Sequence, residues 1–314
     1  MVPRSSAQPA IAAHSSRKAA APASLRYPVG MERTSPQGSR GAFRRVLVRH
    51  LRRPLPLSSY LFLSIETHAL CGALAFFAML GFYPLSLLMV SLARDVARSP
   101  EAHQVVRLAL QTYYPAGQEF LIRNLEASSL RFRDQLSVAA ALWIFLGGAG
   151  VFIPLEMAFN RLWRFARPRP YWHNQVVGLG LTLAFWALGV AVVLGASRVG
   201  APWRLAALWA GTLVATAVAI VMGYRFLPHG HVPLAAALPA GLLAAVVGEV
   251  VRWAFILVLP RLDLPGSHGP FHVSVSFLVF AYVEAFVLLG GAFLAAETTR
   301  ESEVPGAPAE RAGV

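Results

Sequence analysis

The chain has 314 residues, of which 56% are hydrophobic and only 14% are charged. A soluble domain normally carries roughly 25% charged residues. The charges also collect in a few segments and nearly vanish from the others. This composition argues against a soluble enzyme and indicates an integral membrane protein.

The formal net charge is +13, and arginine supplies almost all of it, because Lys18 is the only lysine. Eleven basic residues precede the first long apolar segment, and only Glu32 and Glu66 oppose them. In a membrane protein such a cluster fixes a cytoplasmic N-terminus and contacts anionic lipid. The alternative is an arm that binds nucleic acid, which we do not predict.

Residues 1–57 are rich in Ala, Pro, Ser, Gly and Arg and have no apolar periodicity, which predicts a disordered basic tail. Residues 58–67 are expected to form a short interfacial helix. Six apolar segments then follow, each near the roughly 20 residues that a membrane-spanning helix needs. They cover about 68–93, 135–158, 174–197, 203–226, 234–258 and 271–296. The sequence therefore predicts an all-α polytopic membrane protein, with a six-helix transmembrane domain over 58–297 and a disordered tail over 298–314.

The loops set the predicted orientation. The 159–173 loop carries four arginines and no acid, whereas the 94–134 loop carries six basic residues and five acids. The positive-inside rule places the first loop in the cytoplasm and the second outside. Both termini are then cytoplasmic, because the number of spans is even. Within 99–134, apolar residues recur at helical spacing on both sides of Pro115, which predicts two amphipathic helices at the outer face.

Six short motifs follow one another along the chain. They are Ala73-Leu-Ala-Phe-Phe77 followed by Pro84, Ala158-Phe-Asn160-Arg161-Leu-Trp163, Tyr224-Arg-Phe-Leu-Pro228, Leu238-Pro-Ala-Gly241, Glu249-x-x-Arg252-x-x-Phe255, and Tyr282 with Leu289-Gly-Gly-Ala292. From about residue 60 to 297 they resemble the YihY/BrkB family of bacterial inner-membrane proteins, whose members once carried the name ribonuclease BN.

The resemblance implies an inner-membrane protein with a role in the cell envelope. Two functions are open: movement of a lipid or small solute, and a scaffold or interaction protein that transports nothing. The motif residues to which the resemblance gives a structural role are Pro84, Asn160, Arg161, Pro228, Gly241 and Tyr282. The chain departs from the family pattern at Phe293, where the family usually carries Glu, and at Glu284, where the family prefers a small residue. A homo-oligomer stays open.

The histidines and acids do not predict an enzyme. His229-x-His231 and His268-x-x-x-His272 have the spacing of metal ligands, but the predicted topology places the two pairs on opposite sides of the membrane. Phosphodiester hydrolysis usually needs metal ions held by clustered carboxylates or histidines, and here the acids are scattered. We therefore predict no metal, no cofactor and no nuclease activity.

Ionisable residues inside the predicted spans are the candidate site. Glu156 lies near the inner end of the second span, where Arg161 or Arg164 is its expected partner. Glu249 and Arg252 are three residues apart on one helix face, and Glu284 lies near the middle of the last span.

A charge at mid-membrane costs at least about 2.5–3.5 kcal/mol on insertion scales. The cluster of Glu249, Arg252 and Glu284 is therefore either a polar site in a translocation path or an ion-pair network that fixes helix packing. Two acids and one base leave one acid without a partner, so we expect one glutamate to hold a proton.

Overall fold

The computed structural model describes residues 36–95, 104–109, 150–165 and 171–303, and in these ranges the chain forms helices and turns with no strand. The helices, numbered along the chain, are α1 (Pro36–Arg52), α2 (Leu55–Ser58), α3 (Ile65–Asp95), α4 (104–109), α5 (Phe152–Leu162), α6 (Tyr171–Ser197), α7 (Arg204–Phe226), α8 (Leu234–Val258), α9 (Leu264–His268) and α10 (His272–Glu303). A π-helical turn, Ser59–Leu63, follows α2, and 3₁₀ turns occupy Ala201–Trp203, Leu259–Leu262 and Gly269–Phe271.

Five stretches of the described residues are long and apolar enough to cross a membrane. They are Ile65–Phe82, Gln175–Ser197, Ala201–Phe226, Leu234–Leu262 and His272–Ser302. These stretches coincide with five of the six predicted spans. For the predicted second span, 135–158, residues 135–149 lie outside the described residues, and α5 covers its C-terminal end. Most of the segment predicted to form amphipathic loop helices also lies outside them, apart from α4.

The long helices enclose a common interior. Helix α10 packs against α3 and α8, α8 packs against α7, and α7 packs against α6. Helix α5 contacts α3, α6 and α10. The connection between α6 and α7 around Gly200 is short and contains the 3₁₀ turn Ala201–Trp203.

Small residues allow the central helices to approach closely. A Cβ atom added at Gly241 of α8 would lie 2.5 Å from Cγ2 of Val221 on α7. A Cβ atom at Gly291 of α10 would lie 2.4 Å from the hydroxyl oxygen of Tyr224. That hydroxyl donates a hydrogen bond to the backbone oxygen of Leu288 at 2.7 Å and so joins α7 to α10. The absence of a side chain at Gly241 therefore lets α8 approach α7 closely.

Both ends of the described chain differ from the predicted tails. Residues 36–52 form α1 instead of belonging to a disordered tail, because Ala42 and Val46 are fully buried along one face of that helix. Residues 298–303 continue α10 instead of beginning a disordered tail. Residues 1–35 and 304–314 lie outside the described residues.

Ion pairs join these two unexpected helical segments. Arg45 Nε donates to Glu301 Oε1 at 2.7 Å, and Arg49 Nη2 donates to Glu297 Oε2 at 3.0 Å. The buried ring of His50 lies 3.4 Å from the same Glu297 oxygen. Helix α1 therefore packs on the C-terminal end of α10 and is not an independent arm.

Candidate functional site: a polar cluster in a central cavity

A cavity of about 820 Å³ lies between the long helices. Its wall comes from α3, α6, α7, α8 and α10, with Val106 and Ala109 of α4 and Phe152 of α5. Most of the lining is apolar, and aromatic side chains such as Phe277 contribute to it. The volume lies within the roughly 300–1,000 Å³ typical of small-molecule sites in proteins.

The structure places Glu249, Arg252 and Glu284 together in the wall of this cavity. Glu249 and Arg252 share a face of α8, as their spacing predicts. Arg252 is only 6% exposed, and its Nε donates to Glu249 Oε2 at 3.0 Å. Its Nη2 also donates to that oxygen, and its guanidinium carbon lies 5.1 Å from the ring centroid of Trp253. The guanidinium group of Arg252 therefore contacts both the carboxylate of Glu249 and the ring of Trp253.

Glu284 reaches the same wall from α10. Its Oε1 is buried and has no hydrogen-bond partner among the described residues. Its Oε2 lies against Gly248 of α8, where an added Cβ would stand only 2.9 Å away. The absence of a side chain at Gly248 thus makes room for the carboxyl group of Glu284.

Other polar groups in the lining differ in their local hydrogen bonding. The hydroxyls of Thr182 and Thr212 donate to backbone oxygens of their own helices, Gly178 at 2.9 Å and Leu208 at 2.8 Å. The indole Nε1 of Trp186, in contrast, is buried without a hydrogen-bond partner in the described part of the chain. Glu284 Oε1 and Trp186 Nε1 are therefore the two fully buried polar side-chain atoms of the described lining that have no hydrogen-bond partner.

Sequence reasoning missed Gly248 and Trp186. A glycine inside an apolar helix gives no sign of what packs opposite it, and a tryptophan in a span is usually a lipid-facing or core residue. The one signal in the sequence is that Gly248 directly precedes Glu249.

A second polar network joins α5 to the turn after α7. Asn160 Oδ1 accepts a hydrogen bond from the backbone N–H of His229 at 2.8 Å, and Asn160 Nδ2 lies 3.4 Å from Glu156 Oε1. His229 Nε2 lies 3.2 Å from the same Glu156 oxygen. Glu156 therefore contacts His229 and Asn160, where the sequence suggested Arg161 or Arg164. Arg161 instead forms an ion pair with Glu66 at the start of α3.

Four of the predicted motif residues, Asn160, Arg161, Pro228 and Tyr282, lie in or contact the connections between helices. Asn160 and Arg161 contact the segments just described, and buried Pro228 directly precedes His229. The hydroxyl of Tyr282 on α10 lies 2.6 Å from Nδ1 of His68, whose Nε2 lies 3.1 Å from the backbone oxygen of Phe62. Tyr282 of α10 therefore contacts His68 of α3, and His68 in turn contacts the π-helical turn.

Pro84 lies inside α3 without ending that helix. Across the described ranges, no group of three or more His, Cys, Asp or Glu side chains could hold a metal ion.

A bundle of apolar helices around a partly polar interior defines a multi-pass helical membrane protein. The family model for Virulence factor BrkB matches residues 62–313. The chain therefore belongs to the BrkB family, as the sequence motifs predicted.

Curated relatives carry the name UPF0761 membrane protein. One, from Aromatoleum aromaticum, is 27% identical over 252 residues, which is 75% of this chain and 61% of the relative. One from Nitrosospira multiformis is 24% identical over 264 residues, covering 78% of this chain and 61% of the relative. The chain thus spans about three fifths of the length of these relatives. No solved structure gives a significant match.

Proposed function

We propose that the central cavity binds an amphipathic molecule, a lipid or a small solute, and that the protein moves this molecule across the membrane without altering it chemically. The observation that carries the proposal is the position of Glu249, Arg252 and Glu284 in the wall of an otherwise apolar cavity of about 820 Å³. Burying these groups in a membrane protein costs free energy, and such residues commonly mark substrate pathways.

The lining suits a molecule with two chemically different parts. Apolar side chains from several helices provide a surface for a hydrocarbon body, and the polar cluster provides a place for a head group. The alternative is a scaffold that transports nothing, in which Glu249, Arg252 and Glu284 form a network that serves helix packing alone. The two functions differ in whether a molecule occupies the cavity. A transporter must bind its substrate there, whereas a scaffold does not need a bound molecule.

We further propose six spans in a bacterial inner membrane, with both termini in the cytoplasm. The described helices supply five candidate spans, and residues 135–158 would supply the sixth. The exposed arginines of α1 support this orientation, since basic residues near the ends of spans favour the cytoplasmic side. Exposed Leu51 and Leu55 beside Arg52 and Arg53 would place this region at the membrane surface, in contact with anionic lipid.

The experiment is purification of the full chain in a non-ionic detergent, followed by mass spectrometry of the lipids and small molecules that remain bound. A blocking variant, Ala281→Phe, adds a ring within the cavity lining one turn from Glu284. The matched control, Ala187→Phe, adds the same ring at an exposed position of α6 outside the lining.

We expect the wild type and Ala187→Phe to retain the same amphipathic molecule and Ala281→Phe to lose it. If a correctly folded Ala281→Phe retained it to the same extent, the cavity would not be the binding site. If no amphipathic molecule remained on any of the three, the scaffold would be the better interpretation.

A further inference from the structure

We infer that the polar end of the cavity selects a positively charged amine, so that the bound molecule is a hydrocarbon chain bearing a protonated amino group. This inference rests on the proposed function in one respect, namely that the cavity binds an amphipathic molecule. It adds the chemical class of the head group, and it is carried by Glu284 and its surroundings.

The first step is the charge balance of the wall. Arg252 directs two nitrogens to one oxygen of Glu249, and the two residues form an ion pair. Glu284 is the only other ionisable side chain among the described residues that line the cavity. An anionic head group would have to approach this acid, whereas a cationic one would stabilise its ionised form.

The second step is the hydrogen bonding of Glu284. Its Oε1 is buried and accepts no hydrogen bond from any described residue. A buried acceptor without a donor is unfavourable, and a bound N–H group would remove that deficit once the carboxyl group turned this oxygen toward the cavity. A primary ammonium brings three N–H donors together with the positive charge.

The third step is the position of the carboxyl group. Gly248 leaves room for Oε2 against α8, since an added Cβ would lie only 2.9 Å from that oxygen. The cavity lining also includes Trp186, and an aromatic face attracts an ammonium group. Glu284 is therefore a carboxyl group in a mostly apolar wall that also contains aromatic side chains.

The test uses photoreactive probes that share one diazirine-bearing alkyl chain and differ only in the head group: primary amine, hydroxyl, or phosphate monoester. The full-length protein is reconstituted in lipid nanodiscs at neutral pH, where an alkylamine is protonated. After irradiation, mass spectrometry measures labelling of the peptides that contain cavity-lining residues of α8 and α10.

We expect the amine probe to label these peptides about tenfold more than the hydroxyl probe, the ratio that one charge-assisted hydrogen bond supports. The phosphate probe should label least. Glu284→Gln should reduce amine labelling to the level of the hydroxyl probe.

Gly248→Ala provides a second variant that keeps every charge, because its methyl group must displace the Glu284 carboxyl group. It should also lower the preference for the amine. Its matched control is Gly195→Ala on α6, where an added Cβ meets nothing within 4 Å, and this control should behave as the wild type.

A fourth probe, a phosphatidylethanolamine with the same photoreactive chain, identifies the source of the amine. Labelling by both amine-bearing probes would point to an aminophospholipid, and labelling by the simple alkylamine alone would point to a free amphipathic amine.

Equal labelling by the amine and hydroxyl probes would overturn the inference, as would phosphate labelling at or above the amine level, or amine labelling unchanged in both variants. Each of these results would leave the proposed function standing, because the cavity would still bind an amphipathic molecule. Absence of cavity labelling by every probe would instead refute the proposed function itself.

Discussion

Replacement of Arg252 by alanine should strongly destabilise the protein. Arg252 is 6% exposed and satisfies Glu249 through two of its nitrogens. Alanine removes those donors and leaves Glu249 and Glu284 in one cavity wall without the compensating charge. Removing one partner of a buried ion pair costs about 3–5 kcal/mol, because the other charge stays desolvated. The stacking of the guanidinium on Trp253, with a separation of 5.1 Å, is lost as well.

The free energy of unfolding can be measured by titration with SDS in mixed micelles, with thermal stability in detergent as a second readout. Arg198→Ala, at an exposed position after α6, is the matched control and should change stability by no more than about 0.5 kcal/mol. The double variant Glu249→Gln with Arg252→Met removes both charges of the pair. It should recover most of the loss, since uncharged replacements of both partners are often tolerated.

Glu284→Gln should be mild for folding, within about 1 kcal/mol, because Oε1 of Glu284 has no hydrogen-bond partner among the described residues. The decisive quantity is the difference between the free energies of unfolding of Arg252→Ala and Glu284→Gln. If both changed stability by the same near-zero amount, these side chains would face water or lipid head groups, and the reasoning from a buried cluster would be refuted.

Three further predictions concern topology and packing. Reporter fusions at residues 20 and 310 should both read cytoplasmic, and a periplasmic reading at either would contradict six spans. Deletion of residues 2–33 should leave a monodisperse protein. Deletion of residues 2–52 should lower the thermal stability of the protein, because it also removes α1 and its ion pairs to α10. Equal thermal stability of the two deletion variants would show that α1 does not stabilise the fold. Tyr224→Phe should cost about 0.5–1.5 kcal/mol in the SDS titration, because it removes the hydrogen bond that joins α7 to the Leu288 backbone oxygen of α10, and no loss would mean that this bond does not stabilise the fold.

The sequence alone determined the spans that the structure describes. The fourth and fifth predicted spans, 203–226 and 234–258, agree with α7 (Arg204–Phe226) and α8 (Leu234–Val258) almost to the residue. This agreement has a local cause: a segment that crosses lipid must satisfy its own backbone hydrogen bonds and stay apolar over its whole length. Each span is therefore specified by the residues that compose it.

The candidate site could be predicted in part for a related reason. Charged side chains inside apolar segments are costly, so Glu249, Arg252 and Glu284 stand out in the amino-acid sequence itself. The importance of Gly248 could not be predicted, because it depends on the carboxyl group that packs opposite it on another helix. The contact of Glu156 with His229 was missed similarly, since His229 lies in the turn after α7, far from Glu156 in the sequence.

Only the tertiary structure decided that residues 36–52 and 298–303 are helical. Arg45 and Glu301 are 256 positions apart, and Arg49 and Glu297 are 248 apart, so no local pattern relates them. An arginine-rich segment without a partner resembles a solvated tail, and short helices gain most of their stability from packing against other elements. The helical state of α1 follows from the surface of α10 on which it lies, and that surface exists only once the chain has folded.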